Sequence, residues 1–198
     1  MKKIKEILIG TNNIGKYEEI CNLLPTNIKK YSLRQFNILS PKETGKSFRE
    51  NALIKASYFS KKTNLICLSD DSGLEIEILR GQPGIFSSRW SGKKNNFNLA
   101  IRRVYKEMNK INKNWKNKNK AQFVCCLTIF WPNKQSFSAE GVVKGKIAEI
   151  KKGKKGFGYY PIFIPGGYNK TFAEMNPQLK MSMDHRFKAF CKIKKYFV

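Results

Sequence analysis

The chain has 198 residues, with 39 Lys or Arg against 14 Asp or Glu, a formal net charge of +25, 41% hydrophobic and 13% aromatic residues. A chain of this length buries about 70% of its unfolded surface, and this composition excludes wholesale disorder and collagen-like or mucin-like chains. No apolar run approaches the roughly 20 residues of a membrane span, and the opening stretch from Met1 to Gly10 is too short for a secretory leader, so the expectation is a cytoplasmic protein.

A strand over Ile4 to Ile9 runs into the polar loop Gly10-Thr11-Asn12-Asn13-Ile14-Gly15-Lys16. On the helix that follows, Tyr17, Ile20, Cys21 and Leu24 recur at helical spacing until Pro25 stops it. Strand, polar loop and helix N-terminus in that order make a natural phosphate cradle, because free backbone N–H groups and the helix dipole point at the loop. Ser47-Phe48-Arg49-Glu50 is a capping box opening a helix to about Lys61, with Phe48, Ala52, Ala56 and Phe59 on its buried side.

Leu65 to Ser69 reads as a buried strand ending at Asp70-Asp71-Ser72-Gly73, after which Leu74, Ile76 and Ile78 alternate with Glu75 and Glu77 on a half-exposed strand. Gln82-Pro83-Gly84 is a turn, and Phe97, Ile101, Val104, Tyr105 and Met108 mark another helix. Residues 109–120 form a low-complexity polar segment, expected to be a loose loop. Ala121 to Trp131 is the strongest strand signal, and Pro132-Asn133-Lys134 turns it into a second strand over Ser136 to Lys144. A glycine- and aromatic-rich loop follows over Gly153 to Gly167. The last helix, Met183 to Tyr196, is expected to turn Phe187, Phe190, Cys191 and Phe197 inwards. Helices alternate with strands, so the class is α/β, a long mixed central sheet flanked by helices in one domain over residues 1–198.

The charge invites a nucleic-acid reading, with Trp90, Trp115 and Trp131 as possible stacking platforms. Yet the basic residues are 32 Lys and only 7 Arg, beside 18 Asn and 20 Ile. That bias fits drift towards A/T-rich codons better than a selected polyanion surface, which would favour Arg in a stripe. Cys21, Cys67, Cys125, Cys126 and Cys191 lack C-x-x-C spacing and read as reduced core residues. His185 is the only histidine, which excludes a multi-histidine metal centre.

Acidic residues are scarce, so their placement is informative: six of the fourteen lie between Glu43 and Glu77, and two of the three aspartates are adjacent at Asp70 and Asp71. Carboxylates about 4 Å apart repel by roughly 4 kcal/mol at an effective dielectric of about 20. A hard cation removes that penalty and makes a place where phosphates bind. Taken alone, the pair could equally be a polar turn capping backbone N–H groups.

The succession is more specific than any part of it. Thr11 to Lys16 is followed by Glu43-Thr44-Gly45-Lys46-Ser47-Phe48-Arg49-Glu50-Asn51-Ala52-Leu53-Ile54-Lys55-Ala56, then Asp70-Asp71-Ser72-Gly73-Leu74-Glu75 and Gly81-Gln82-Pro83-Gly84. Phe157-Gly158-Tyr159-Tyr160-Pro161, Thr171-Phe172-Ala173-Glu174-Met175 and Lys180 through His185-Arg186 complete it. From about Ile7 to Ala189 this resembles the inosine/xanthosine triphosphate pyrophosphatase family.

The resemblance implies two lobes with the active-site cleft between them, a homodimer, and Mg2+-dependent hydrolysis of ITP, dITP or XTP to the nucleoside monophosphate and pyrophosphate. Small-molecule purine triphosphates would be the partners, with no specific nucleic acid and no membrane. By position, Thr11, Asn12, Asn13, Ile14, Gly15 and Lys16 would hold the triphosphate. Glu43 and Asp71 would ligate Mg2+, with Asp71 also the base on the attacking water. Ser72, Phe157, Gly158, Tyr159, Tyr160, Lys180, His185 and Arg186 would hold the nucleotide, the last two reading the purine.

Three positions depart from the family's pattern. Asn12 stands for a usual Gly, and Asn tolerates left-handed backbone. Tyr160 replaces an aspartate at the nucleobase, and Asp184 replaces the Ser before His-Arg, which suggests that Asp184 returns a negative charge near Arg186. The rival readings are a same-fold pyrophosphatase for other modified nucleotides, a relative that binds without turnover, and a basic nucleic-acid-binding module.

Overall fold

The computed structural model describes residues 3–92 and 95–198. Met1 and Lys2, part of the opening stretch read for a leader, lie outside the described residues. The strands are β1 (Glu6–Ile9), β2 (Lys29–Ser32), β3 (Cys67–Ile76), β4 (Lys120–Phe130), β5 (Ser136–Ile147) and β6 (Phe163–Pro165). The helices are α1 (Ile14–Leu23), α2 (Phe48–Thr63), α3 (Phe97–Ile111), α4 (Pro177–Met181) and α5 (His185–Ile193). No described helix is long and apolar enough to cross a membrane.

The chain divides into two compact units. The first holds the chain up to Asp71 with Cys125–Gly141 and His185–Val198, the second Ser72–Val124 with Val142–Asp184. β3, β4 and β5 each contribute residues to both. Strand order in the first unit is β2-β1-β3-β4-β5 and in the second β3-β4-β5-β6. β1 is parallel to β2 and β3, with Ile9 opposite Leu68, whereas β5 and β6 are antiparallel. The sheet is mixed and helix-flanked, as the alternation of elements predicts.

In the first unit β1 is buried on both faces, which explains its unbroken apolar run. Ile7 and Ile9 pack with Ile20 and Leu24 after α1 and with Ala189, Phe190 and Ile193 of α5. Leu8 turns the other way, to Leu33, Cys67 and Phe59 of α2. Ser47 caps α2 by accepting from the Glu50 N–H at 3.1 Å, while the Glu50 carboxylate takes the Lys46 N–H at 2.8 Å. In the second unit Leu74 and Ile76 meet Ala100, Ile101, Val104 and Met108 of α3. Phe123 anchors the aromatic side of this core, 4.8 Å from Phe163 and 5.5 Å from Tyr160 between ring centroids.

Four sequence expectations need correction. β3 does not stop at Asp70 but continues to Ile76, because each aspartate has a cationic partner and these ion pairs override their poor strand propensity. The segment 109–120 is not a loose loop. α3 extends to Ile111, and Trp115 is buried, stacked on Tyr105 at 5.9 Å and donating from Nε1 to Asn109 Oδ1 at 2.8 Å. β2, α4 and β6 are elements that the sequence reading missed; four, five and three residues long, they are too short for periodicity to register. Finally, Cys191 is exposed and Ile193 is buried, since α5 ends there and turns a different stripe inwards.

Gly10 closes β1 in a space with no room for a side chain: an added Cβ would lie 2.1 Å from Ser69 Oγ and 2.9 Å from Phe59 Cδ2. Gly10→Ala is expected to lower stability by about 1–3 kcal/mol through overpacking, measured by urea denaturation. An unchanged midpoint would contradict the tight approach.

Candidate active site

The polar loop is built by its own side chains. Thr11 Oγ1 accepts from the Asn13 N–H at 3.2 Å, and Asn13 Oδ1 accepts from the Lys16 N–H at 3.0 Å. Asn13 is therefore the N-cap of α1, and Ile14, Gly15 and Lys16 form its first turn rather than the end of a loop. Asn12 donates to Ser40 Oγ at 2.9 Å and is not among the described residues with positive φ, so its substitution for Gly needs no left-handed backbone. A cavity of about 240 Å³ lies here, lined by Thr11, Asn12, Asn13, Ile14, Ser32 and Arg34 among others.

Because β3 runs straight through the two aspartates, successive side chains alternate. Asp70 sides with α1 and α5: it lies 3.1 Å from Lys16 Nζ and 3.1 Å from Arg186 Nη2, and Arg186 also pairs with Glu19 of α1. Asp71 sides with α2, where Lys55 Nζ stands 3.3 Å from its Oδ1 and 2.7 Å from Glu43 Oε1. The expected metal ligands Glu43 and Asp71 thus meet at one ammonium. Gly141 lets β5 press onto the start of α5, where an added Cβ would lie 2.1 Å from the His185 carbonyl oxygen. Both His185 and Arg186 are buried there.

The environments set the charges apart. Burial by itself would raise the Asp70 carboxyl, but Lys16, Arg186 and Lys55 outweigh it and hold Asp70 below the usual carboxylate range. At Asp71 burial dominates over Lys55 and Lys16, and its carboxyl is pushed up. Burial works against the Lys55 charge, yet Asp71, Asp70 and Glu43 raise its pKa above the ordinary lysine value. The two adjacent carboxyls are thus shifted in opposite directions.

Asp71 Oδ2 is buried with no hydrogen-bond partner among the described residues. That orphaned oxygen, beside Glu43, suits a small hard cation that keeps several waters and takes the rest of its shell from phosphate. No cluster of three or more His, Cys, Asp or Glu that could hold a metal occurs among the described residues. The fit is therefore to a two-carboxylate site.

The second unit holds the remaining expected residues. Ser72 is half-buried, immediately after Asp71 on β3. Tyr159 is committed to the core, its hydroxyl donating to the Ser87 carbonyl at 3.0 Å and its ring edge-on to Phe97 at 5.4 Å. Phe157 lies 5.0 Å from the Tyr160 ring, and the Tyr160 hydroxyl accepts from Lys180 Nζ at 3.0 Å. A cavity of about 410 Å³ touches Phe157 and Gly158, with Asn96, Asn98, Lys151 and Lys155 on its wall. Within the second unit, Asp184 forms an ion pair with Lys180, at 2.7 Å.

Lys55 and Glu19 were given no role from sequence. Lys55 carried a readable signal: it falls on the stripe of Phe48, Ala52, Ala56 and Phe59, where a charge is out of place unless paired. Glu19 carried none, being one of two adjacent glutamates on a solvated stretch of α1.

With this geometry in place, likeness to known proteins is informative. The profile of the Ham1 family matches residues 7–196. The dITP/XTP pyrophosphatase of Bartonella quintana (strain Toulouse) is 38% identical, with 94% of this chain and 92% of the relative covered. That of Caulobacter vibrioides is also 38% identical, with 96% of each covered. Among solved structures, a HAM1 protein from Coxiella burnetii superposes with a TM-score of 0.87 at 35% identity, with 97% of this chain and 98% of that chain covered. Agreement in sequence and in backbone over nearly the whole of each partner leads to one conclusion: the chain belongs to the Ham1 family.

Proposed function

We propose that this chain hydrolyses non-standard purine nucleoside triphosphates (ITP, dITP and XTP) to the nucleoside monophosphate and pyrophosphate. The observation that carries the reading is the near-complete match to relatives named dITP/XTP pyrophosphatase. The site chemistry supports it. Phosphoryl chemistry needs positioning and charge neutralisation more than covalent catalysis. Lys16, Lys55 and the N–H groups at the start of α1 supply cationic and dipolar neutralisation for the phosphates. Asp71, its carboxyl raised by burial, accepts the proton of the attacking water as the water oxygen bonds to phosphorus and the bond to the bridging oxygen breaks. Mg2+ held by Glu43 and Asp71 would neutralise phosphate charge when bound.

His185 and Arg186 bring hydrogen-bond donors for a 6-keto purine, and each leaves a donor unmatched against the amino group of adenine. Asp70, by gripping Lys16 and Arg186 together, positions one phosphate-binding and one base-reading residue through a single carboxylate. A homodimer in the cytoplasm is the proposed setting.

The test is pyrophosphate release with Mg2+ across ITP, dITP, XTP, GTP, ATP and pyrimidine triphosphates. ITP, dITP and XTP are expected to exceed ATP in kcat/KM by at least about 100-fold. Equal turnover of all, or release of inorganic phosphate in place of pyrophosphate, would overturn the reading.

A further inference from the structure

One cation beside the phosphate loop has no carboxylate paired with it. The cavity of about 240 Å³ in the first unit is lined by Thr11, Asn12 and Asn13 of the loop together with Ser32 and Arg34 from the end of β2, and Glu18 is the one carboxylate among its described lining residues. Pockets that enclose a whole drug-sized ligand run to about 300–1,000 Å³. This one therefore suits a phosphate group with its waters and is too small for a nucleoside.

The backbone places Arg34 there. β1 and β2 are parallel, with Ile9 opposite Ser32, so the two strands deliver the phosphate loop and Arg34 to the same end of the sheet. Leu33 is buried in the cluster of Leu8, Phe59 and Cys67. The turn Leu33–Gln35 is closed by its own side chains: Ser32 Oγ accepts from the Arg34 N–H at 3.3 Å, and Gln35 Oε1 accepts from the Ser32 N–H at 2.8 Å. Asn12 donates to Ser40 Oγ at 2.9 Å, which ties the loop to the chain beyond that turn.

The other cations of this unit's site are matched. Lys16 faces Asp70, Lys55 faces Glu43 and Asp71, and Arg186 faces Asp70 and Glu19. The Arg34 guanidinium is exposed and makes no ion pair, hydrogen bond or ring contact among the described residues, Glu18 included. Its planar fork matches two phosphate oxygens at once. A triphosphate concentrates its charge at the terminal phosphate, the end farthest from the base.

We propose that Arg34 binds the terminal phosphate of the substrate, in the cavity that it shares with the phosphate loop, and so makes the site prefer triphosphates to diphosphates. The inference rests on the pyrophosphatase reading above. A guanidinium that acted only through the overall charge of the surface would weaken all nucleotides alike.

The test uses the full chain with Mg2+, with ITP as substrate and IDP, which lacks only the terminal phosphate, as the competing ligand. For Arg34→Ala, KM for ITP is expected to rise about fivefold with kcat within about twofold, while Ki for IDP stays within about twofold of wild type and the melting temperature is unchanged. A folded variant whose KM for ITP stays within about twofold of wild type overturns the inference, and so does one in which KM for ITP and Ki for IDP rise by the same factor. Wild-type protein that does not turn over ITP overturns the pyrophosphatase reading and this inference with it; wild-type turnover with an unmoved KM in the variant overturns the inference alone.

Discussion

Asp71→Asn is expected to lower pyrophosphate release by about 10³-fold while the protein keeps its fold and its melting temperature. The catalytic loss follows from removing the proposed proton acceptor and a negative charge next to Glu43 at once. The preserved stability follows from the sign of the pKa shift. The folded-state carboxyl is raised, chiefly by burial, so its contribution to stability is present below the unfolded carboxylate value and is lost as pH rises through the folded one. At neutral pH the buried charge stabilises nothing that Asn would forfeit, and Lys55 keeps Glu43 at 2.7 Å. Pyrophosphate release and a thermal melt, run on one preparation, check both halves. A variant retaining more than about a tenth of wild-type activity would place the base elsewhere.

Asp70→Asn is expected to act in the opposite sense, mainly on stability. It leaves the buried Arg186 and the half-buried Lys16 facing a neutral amide, and breaking a buried pair from one side costs about 3–5 kcal/mol. At about 2–4 °C per kcal/mol for a chain of this size, the melting temperature falls by roughly 10 °C. Here the folded pKa is depressed, because Lys16, Arg186 and Lys55 together overcome burial. Its stabilisation is therefore complete above the unfolded carboxylate value and is lost only as pH falls through the folded one, below the usual carboxylate range. The gap between wild type and variant should stay constant from neutral to mildly acidic pH and close in strong acid, as read from denaturant melts over a pH series. A gap that closes near pH of about 6 would assign the effect to some other group.

Much of this site could be read from the sequence because its residues are rare there. With three aspartates in the chain, the adjacent pair stood out, and Lys16 followed a strand and a polar loop. What the sequence hid was which way each aspartate faces. Asp-Asp-Ser-Gly has the composition of a turn, and local propensity ends the strand there; β3 continues because partners up to 116 residues away satisfy the carboxylates. Lys55 was legible in part: a charge on an apolar stripe signals a buried partner, but its two carboxylates, Glu43 and Asp71, lie elsewhere in the chain. Trp115 shows the converse error, since a run of Asn and Lys looks solvated while a single indole inside it is anchored to Tyr105 and Asn109.

The three-part make-up of the first unit has a consequence for biosynthesis. Arg186 lies 116 residues after Asp70 and 167 after Glu19. At a translation rate of about 10 residues per second, Asp70 has emerged for on the order of ten seconds before its guanidinium partner is even polymerised. Over that interval the nascent chain has Lys16 at hand but lacks α5, the element that covers Ile7 and Ile9. The N-terminal third therefore cannot settle on the ribosome as a finished module. Its last apolar surface and its last counter-charge arrive together, from the same stretch of chain.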